Sequence, residues 1–434
     1  KLLQIIKTLT QTYENRLLKF NIFKYKFVIT NDAEHAKIIL NSGDCINKPE
    51  FYKFLPHKGL VTLSDNQWRI HRKFLNPAFS TKNLQTQVSI MCEKSEIMSK
   101  IIRRECLGKE FDIAKKCFQF SLDVILSGIF NMQSDVQNED NCKFFEAVDE
   151  LFRSSGMRIV VPWLRYDFIF ELTNYGKQYE KASKTIEKYT NLVISNNRTS
   201  SNHNFLHDHN GLFQNLMKLS EIDKSISSDE LMKNEIGSFL SAAEGTSTTL
   251  VNVLFMISIH QDVQAKLVNE LKTIFSNKLQ PITYDNLSKL QYMDMVIKET
   301  LRLLPTNITL GRRNTDEVKL TDEIISPQSN IFIDIYNLHR NEKYWNQPNT
   351  FNPDNFEPAL VKDRHPYAFL AFSSGSRNCI AVRHSYTTMK VLLSTLLRNY
   401  KFQTNISEND LQLDMSFTLK IANQNAINIT ERNF

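Results

Sequence analysis

The chain has 434 residues, 41% of them hydrophobic and 23% charged, a globular balance that excludes a disordered or collagen-like chain. Its net charge of +6 is spread along the sequence. A nucleic-acid binder concentrates such charge in a stripe, so an acidic protein partner or an anionic membrane surface is the better match.

The opening stretch, KLLQIIKTLTQTYENRLLKF, reads as an amphipathic helix, which suggests that natural sequence precedes Lys1. Residues 21–30 read as strand, and a helix follows with Asn31 as its cap. Helical patterning dominates from about Ser64 to Phe275. It is interrupted at 196–210, a polar, loop-like segment whose His203, His207 and His209 lack helical spacing and cysteine partners. A solvated loop fits that segment better than a metal site. Ser227 and Glu230 form a capping box for one long helix, with apolar positions at Leu231, Ile236, Leu240, Ala243, Leu250, Leu254 and Ile257. Its most apolar run, Leu250 to Ile259, is too short to cross a bilayer. Helices over 262–275 and 288–304 follow, the second stopped by Pro305. Ile331, Ile333 and Ile335 alternate, so a small sheet is expected between 318 and 336. A buried helix begins just after Cys379. Neither a repeat nor a linker divides the chain, so a single, mainly α domain with a minor β-sheet region spans 1–434.

The six cysteines, at 45, 92, 106, 117, 142 and 379, form no C-x-x-C pair and no disulfide framework. Reduced thiols in a cytosol-facing protein are the simplest reading. Cys379 differs from the rest by its setting, FSSGSRNCIA. Gly375 permits a tight turn. A thiolate there can accept backbone N–H bonds, Arg377 can hold an anion, and Phe372 can shield the sulfur. That describes the proximal side of a haem; a buried cysteine in a surface turn is the alternative. Glu299 and Arg302, three apart in KETLRLLP, share a helix face and can pair. Trp68 and Arg72, four apart in QWRIHRKF, offer an indole N–H and a guanidinium to a carboxylate, or else lie on a solvated helix. In AAEGTSTT, Gly245, an acid and several hydroxyls interrupt an apolar helix, as a ligand lying on it or small-residue helix packing would require.

In this order the features resemble the cytochrome P-450 family of haem-thiolate monooxygenases. The haem loop F-x-x-G-x-R-x-C-x-G has Phe372, Gly375, Arg377 and Cys379; E-x-x-R is Glu299 and Arg302; W-x-x-x-R is Trp68 and Arg72; FNPDNF supplies the F-x-P segment. WRIHRKFLNPAF, NLHRNEKYW and RHPYAFLAFSSGSRNCI are similar to family 4, especially insect members. The resemblance implies a triangular, mostly helical fold with haem between the long helix and the Cys loop. It implies Cys379 as axial iron ligand, and Trp68, Arg72, Arg377 and Arg312, or Arg313 in its place, as propionate ligands. Glu299 and Arg302 would be structural, and Thr248 the hydroxyl on the oxygen side. Glu244 matches the family 4 glutamate that can form an ester to a haem methyl, with an unmodified acid as the alternative.

The chain also departs from the pattern. Ala381 stands where the family has glycine, Ser247 where an acid precedes the oxygen-side threonine, and Asn355 where an arginine usually completes the E-x-x-R network. The next segment, VRHS, is remodelled. The resemblance implies insertion of one oxygen atom into an apolar substrate, with fatty acids or related lipids expected and hydrophobic xenobiotics as the alternative. Without a Gly-rich dinucleotide loop, electrons from NADPH would come through NADPH-cytochrome P-450 reductase, with cytochrome b5 as an optional second donor. The expected location is the cytosolic face of the endoplasmic reticulum membrane, the N-terminal anchor being absent from this chain. A haem enzyme that rearranges hydroperoxides, and a haem-binding protein with weak or no turnover, are the competing readings.

Overall fold

In the computed structural model the described residues are 17–434, except 23, 140–141, 201–210, 322, 416–417 and 424–426. Strand β1 (Leu18–Ile22) pairs antiparallel with β2 (Tyr25–Thr30), so the N-terminal strand is a hairpin, and Leu18–Phe20 do not continue a helix. The rest of the expected opening helix lies outside the described residues. Helix α1 (Ala33–Asn41) is capped by Asp32, not Asn31. Asp32 holds the extended backbone of a cap, and its carboxylate accepts from the N–H groups of Glu34 and His35 at 2.8 and 3.1 Å.

The helical body follows: α2 (Asp65–Leu75), α3 (Thr81–Glu105), α4 (Ala114–Val124), α5 (Lys143–Val160), α6 (Asn174–Ser200) and α7 (Leu212–Ile222). The end of α6 covers 196–200, which the polar composition assigns to a loop. The side chains there bond back onto the helix, Asn197 to the Val193 carbonyl and Thr199 to that of Ser195, both at 3.0 Å. The three histidines lie outside the described residues. Ser227 caps α8 (Ser228–Ser241) by accepting from the Glu230 N–H at 3.3 Å. The expected long helix is broken at Ala242, after which α9 (Ala243–Ile259) continues. There the N–H groups of Ala242 and Gly245 reach carbonyls three residues back. Residues 228–259 are long and apolar enough to cross a membrane, but 78% of the apolar window is buried in the fold, as in a core helix.

Helices α10 (Gln261–Ile274) and α11 (Gln291–Leu303) complete this layer. The expected helix over 288–304 is shortened, because Tyr284–Ser288 forms its own turn, closed by a Thr283–Asn286 capping box. Strand β3 (Thr309–Arg313) precedes the expected sheet region, which β4 (Val318–Lys319), β5 (Ile324–Ile325) and β6 (Ser329–Asp334) occupy, and Ile335 already begins a short helix. The sheet order is β1-β2-β6-β3, with β6 parallel to β2. Helix α12 (Val382–Asn399) leads into β7 (Tyr400–Thr404), β8 (Leu413–Met415), β9 (Leu419–Ile421) and β10 (Ile427–Glu431).

Helix α9 is the core: apolar side chains along it, including Leu250, Leu254 and Ile257, are fully buried. It packs on α4, α11 and β7, while α12 packs on α3. The polar start of α9 meets the first turn of α12, the Thr246 hydroxyl donating to Ser385 Oγ at 3.2 Å.

Candidate functional site

The loop before α12 is shaped by backbone. Gly375 has φ +70°, and a Cβ there would stand 2.2 Å from the Leu40 carbonyl oxygen, so this turn against α1 requires glycine. The Cys379 N–H donates to the Phe372 carbonyl at 3.0 Å. Burial raises the Cys379 thiol pKa, while the Ala381 N–H and the charge of Arg72 oppose that rise. Both favour a thiolate and suit a soft metal. Phe372 packs on Tyr386 with ring centroids 5.2 Å apart. Ala381 has φ −96° and ψ 15°, a conformation open to any residue, so its replacement of glycine strains nothing in the backbone. The other five cysteines are also free; of these, Cys45, Cys106, Cys117 and Cys142 are buried.

Four cations converge beside this loop. Arg312 is 1% exposed and donates to the Gly311 carbonyl and to Ser373 Oγ. Arg377 donates to the carbonyls of Ile46, Leu60 and Leu63. Arg72 places both terminal nitrogens on Asn378, at 2.7 and 2.8 Å. Lys48, which sequence reading missed, has its pKa pulled well down by burial and by the charges of Arg312 and Arg377. Burial and Arg312 likewise bring Arg377 down to about 9. Among the described residues no carboxylate pairs with any of the four. Arg312 and Arg377 are buried, Lys48 and Arg72 half-buried; mutually repelling cations so placed, with neutral partners, call for an anion. Arg313 turns away to Glu50, so of the two neighbouring arginines Arg312 belongs to this cluster. Trp68 is buried beneath the Arg377 guanidinium.

The Glu299–Arg302 pair is fully buried. Arg302 Nε and Nη2 donate to the two Glu299 oxygens at 2.7 and 2.8 Å. Its remaining donors go to the carbonyls of His339, Pro348 and Thr350. Glu299 also accepts from the Asn352 N–H and from Asn355 Nδ2. Asn355 thus supplies a neutral bond where the resemblance implies a cation. Arg364, 3.9 Å above the Trp345 ring, adds its charge nearby and bonds the Asn355 carbonyl. His339 takes the Leu370 N–H on Nε2 and donates from Nδ1 to the Arg302 carbonyl, tying the end of α11 to the Cys loop.

On α9, Ser247 Oγ donates to the Glu244 backbone carbonyl and is occupied within the helix. Thr248 Oγ1 reaches Glu244 Oε1 at 3.4 Å. The same oxygen receives Thr418 Oγ1 at 3.3 Å and Lys420 Nζ at 2.6 Å. A Cβ on Gly245 would meet nothing within 4 Å, so this turn of α9 has open space for a flat ligand. Free space on the helix, a cysteine loop with an N–H donor, and cations lacking an anion together fit a dianionic, thiolate-ligated haem.

The family profile described as Cytochrome P450 matches residues 1–426. The chain belongs to the cytochrome P450 family. Its cofactor is haem, and it is a haem-thiolate monooxygenase, which requires a redox partner and a substrate. It is 28% identical to Cytochrome P450 4V2 from Homo sapiens over 99% of this chain and 85% of that protein. It is 28% identical to Cytochrome P450 4c3 from Drosophila melanogaster, over 93% and 80% of the two chains. It is 29% identical to Cytochrome P450 4c21 from Blattella germanica, over 92% and 81%. The mainly helical P450 with small sheets agrees with the fold class expected from sequence.

Proposed function

We propose that this P450, acting as a single catalytic domain, hydroxylates fatty acids or related lipids. The similarity to family 4 members supports that substrate class. In this reading Cys379 is the axial ligand, flanked by Phe372, Gly375 and Ala381. Arg312, Arg377 and Lys48 hold the propionates, with Trp68 and Arg72 fastening that edge. Glu299 and Arg302 brace the proximal side, and Thr248 and Glu244 face the oxygen side. The thiolate-bound haem supplies dioxygen activation; the chain positions, shields and delivers protons. The observation that carries the assignment is the cluster of cations beside the Cys379 loop, Arg312 and Arg377 buried, with no carboxylate paired to them among the described residues.

NADPH-cytochrome P-450 reductase is the proposed electron donor, with cytochrome b5 as an auxiliary, on the cytosolic face of the endoplasmic reticulum. Supporting a membrane surface, Val160 at the end of α5 and Trp163, Tyr166, Phe168 and Leu172 on the segment that follows it are all exposed. Two measurements test the reading. Cys379→Ser should abolish the thiolate–carbon monoxide band of the reduced protein, while serine at any of the other five cysteines should leave it. With reductase and NADPH, dodecanoic acid should yield hydroxylated product; turnover of unrelated xenobiotics with none of the fatty acid would overturn the substrate class.

A further inference from the structure

The oxygen side of this chain has a hydrogen-bonded path that the motif positions do not contain. Lys420, on β9, donates to Glu244 Oε1 at 2.6 Å and to Asp149 Oδ1 at 2.8 Å. Glu244 is on α9, and its side chain is 5% exposed. Asp149 is on α5, and its side chain is 44% exposed. Thr248 Oγ1, at 3.4 Å, meets the same Glu244 oxygen that Lys420 holds. One unbroken sequence of polar atoms therefore runs from solvent to Thr248: Asp149, Lys420, Glu244, Thr248. Ser247, in the place of an acid, spends its hydroxyl on the Glu244 backbone carbonyl.

We infer that Asp149, Lys420 and Glu244 deliver protons to Thr248, with Lys420 and Asp149 as positioning residues that act through Glu244. This deepens the proposed roles of Thr248 and Glu244. The reaction consumes dioxygen, two electrons and two protons with RH, giving ROH and water. The electrons come from NADPH through the redox partner, and the path supplies only protons. Thr248 Oγ1 gives its proton to the oxygen being reduced and takes one from Glu244 Oε1. Glu244 is refilled from Lys420 Nζ, and Lys420 from water held at Asp149. Each hop restores the group behind it, so the net transfer is one proton inward.

Burial lowers the Lys420 pKa, but Glu244 and Asp149 more than offset this, and the ammonium holds its proton more tightly than an ordinary lysine. The hop from Lys420 to Glu244 is therefore the uphill one. It should impose a solvent isotope effect on how electrons divide between peroxide and water or product.

The test has two arms. In haem-free protein, the infrared difference between wild type and Glu244→Gln isolates the Glu244 carboxylate stretch. That stretch should shift in Lys420→Met and stay in place in Lys420→Arg. In the haem-loaded protein with reductase and NADPH, Lys420→Met and Asp149→Asn should each raise the peroxide share of consumed electrons severalfold. Lys420→Arg, whose guanidinium keeps the charge beside Glu244 but does not give up a proton, should leave it raised, and heavy water should raise it in wild type. An unmoved carboxylate stretch in Lys420→Met, or an unchanged peroxide share in both variants, overturns the inference. The peroxide share is read with or without an oxidised substrate. Failure to hydroxylate dodecanoic acid would thus count against the substrate class alone.

Discussion

The Arg377 guanidinium lies over the Trp68 indole, its carbon 4.6 Å from the ring centroid, and all three of its nitrogens donate to carbonyls outside its own loop. One side chain thereby joins the Cys379 loop, the segment at Ile46, the turn at Leu60–Leu63 and α2.

Replacing Arg377 by Leu should both unfasten these segments and remove a cation from the proposed propionate edge. Each buried carbonyl left without a donor costs about 1–3 kcal/mol, so a loss of about 3 kcal/mol is expected in urea unfolding of the haem-free protein. The reconstituted variant should also lose haem on gel filtration. Arg377→Lys keeps the charge but not the fork, and should recover haem retention in part with little gain in stability. A lysine variant as stable as wild type would contradict this account.

Much of the candidate site was legible in the sequence because its chemistry is local. Gly375, Arg377 and Cys379 belong to one turn, and Glu299 and Arg302 to one helix face. What escaped depends on distant pairing. Lys420 and Asp149 are 271 residues apart in sequence. Lys48 means nothing until β3 brings Arg312 beside it. The parallel β2–β6 pairing joins the N-terminus to residues some three hundred positions later, and alternation within β6 cannot name its neighbour. Local readings failed where two side chains could serve one role: Asn31 and Asp32 both suit a cap, and only the backbone at Asp32 decides between them. At 196–200 a polar composition suggested a loop, but asparagine and threonine can bond back to helix carbonyls.

Ala381 gives the second prediction. It is the N-cap of α12 in an ordinary backbone conformation. Glycine is the better cap, yet it loses more entropy on folding, a cost of about 0.4–1 kcal/mol. The two effects oppose each other. Ala381→Gly should therefore change the unfolding free energy by no more than about 0.5 kcal/mol and leave the thiolate–carbon monoxide band where it is. A shifted band would mean that the Ala381 methyl group, rather than its backbone, sets the distance between α12 and the haem.

The last prediction concerns pH. His71 on α2 is 2% exposed and lies between two carboxylates, with Glu235 of α8 on Nδ1 at 2.7 Å and Asp223 after α7 on Nε2 at 2.9 Å. Burial lowers its pKa, but the hydrogen bonds and charges of Glu235 and Asp223 outweigh burial, and the net change is upward. Glu235 also accepts the Leu60 N–H, so the same contact supports the turn that Arg377 holds. A folded pKa above the unfolded one means that the folded state binds the proton more tightly. The stabilisation is fully present below the unfolded value of about 6.5 and is lost as pH rises through the higher folded value. Each tenfold gain in proton affinity on folding is worth about 1.4 kcal/mol. Urea unfolding of the haem-free protein from about pH 5 to about pH 9 should show a falling midpoint across that window. His71→Gln should lower the midpoint on the acid side and flatten its dependence on pH. A wild-type midpoint that runs parallel to that of His71→Gln would show that His71 does not carry the proton between these two carboxylates.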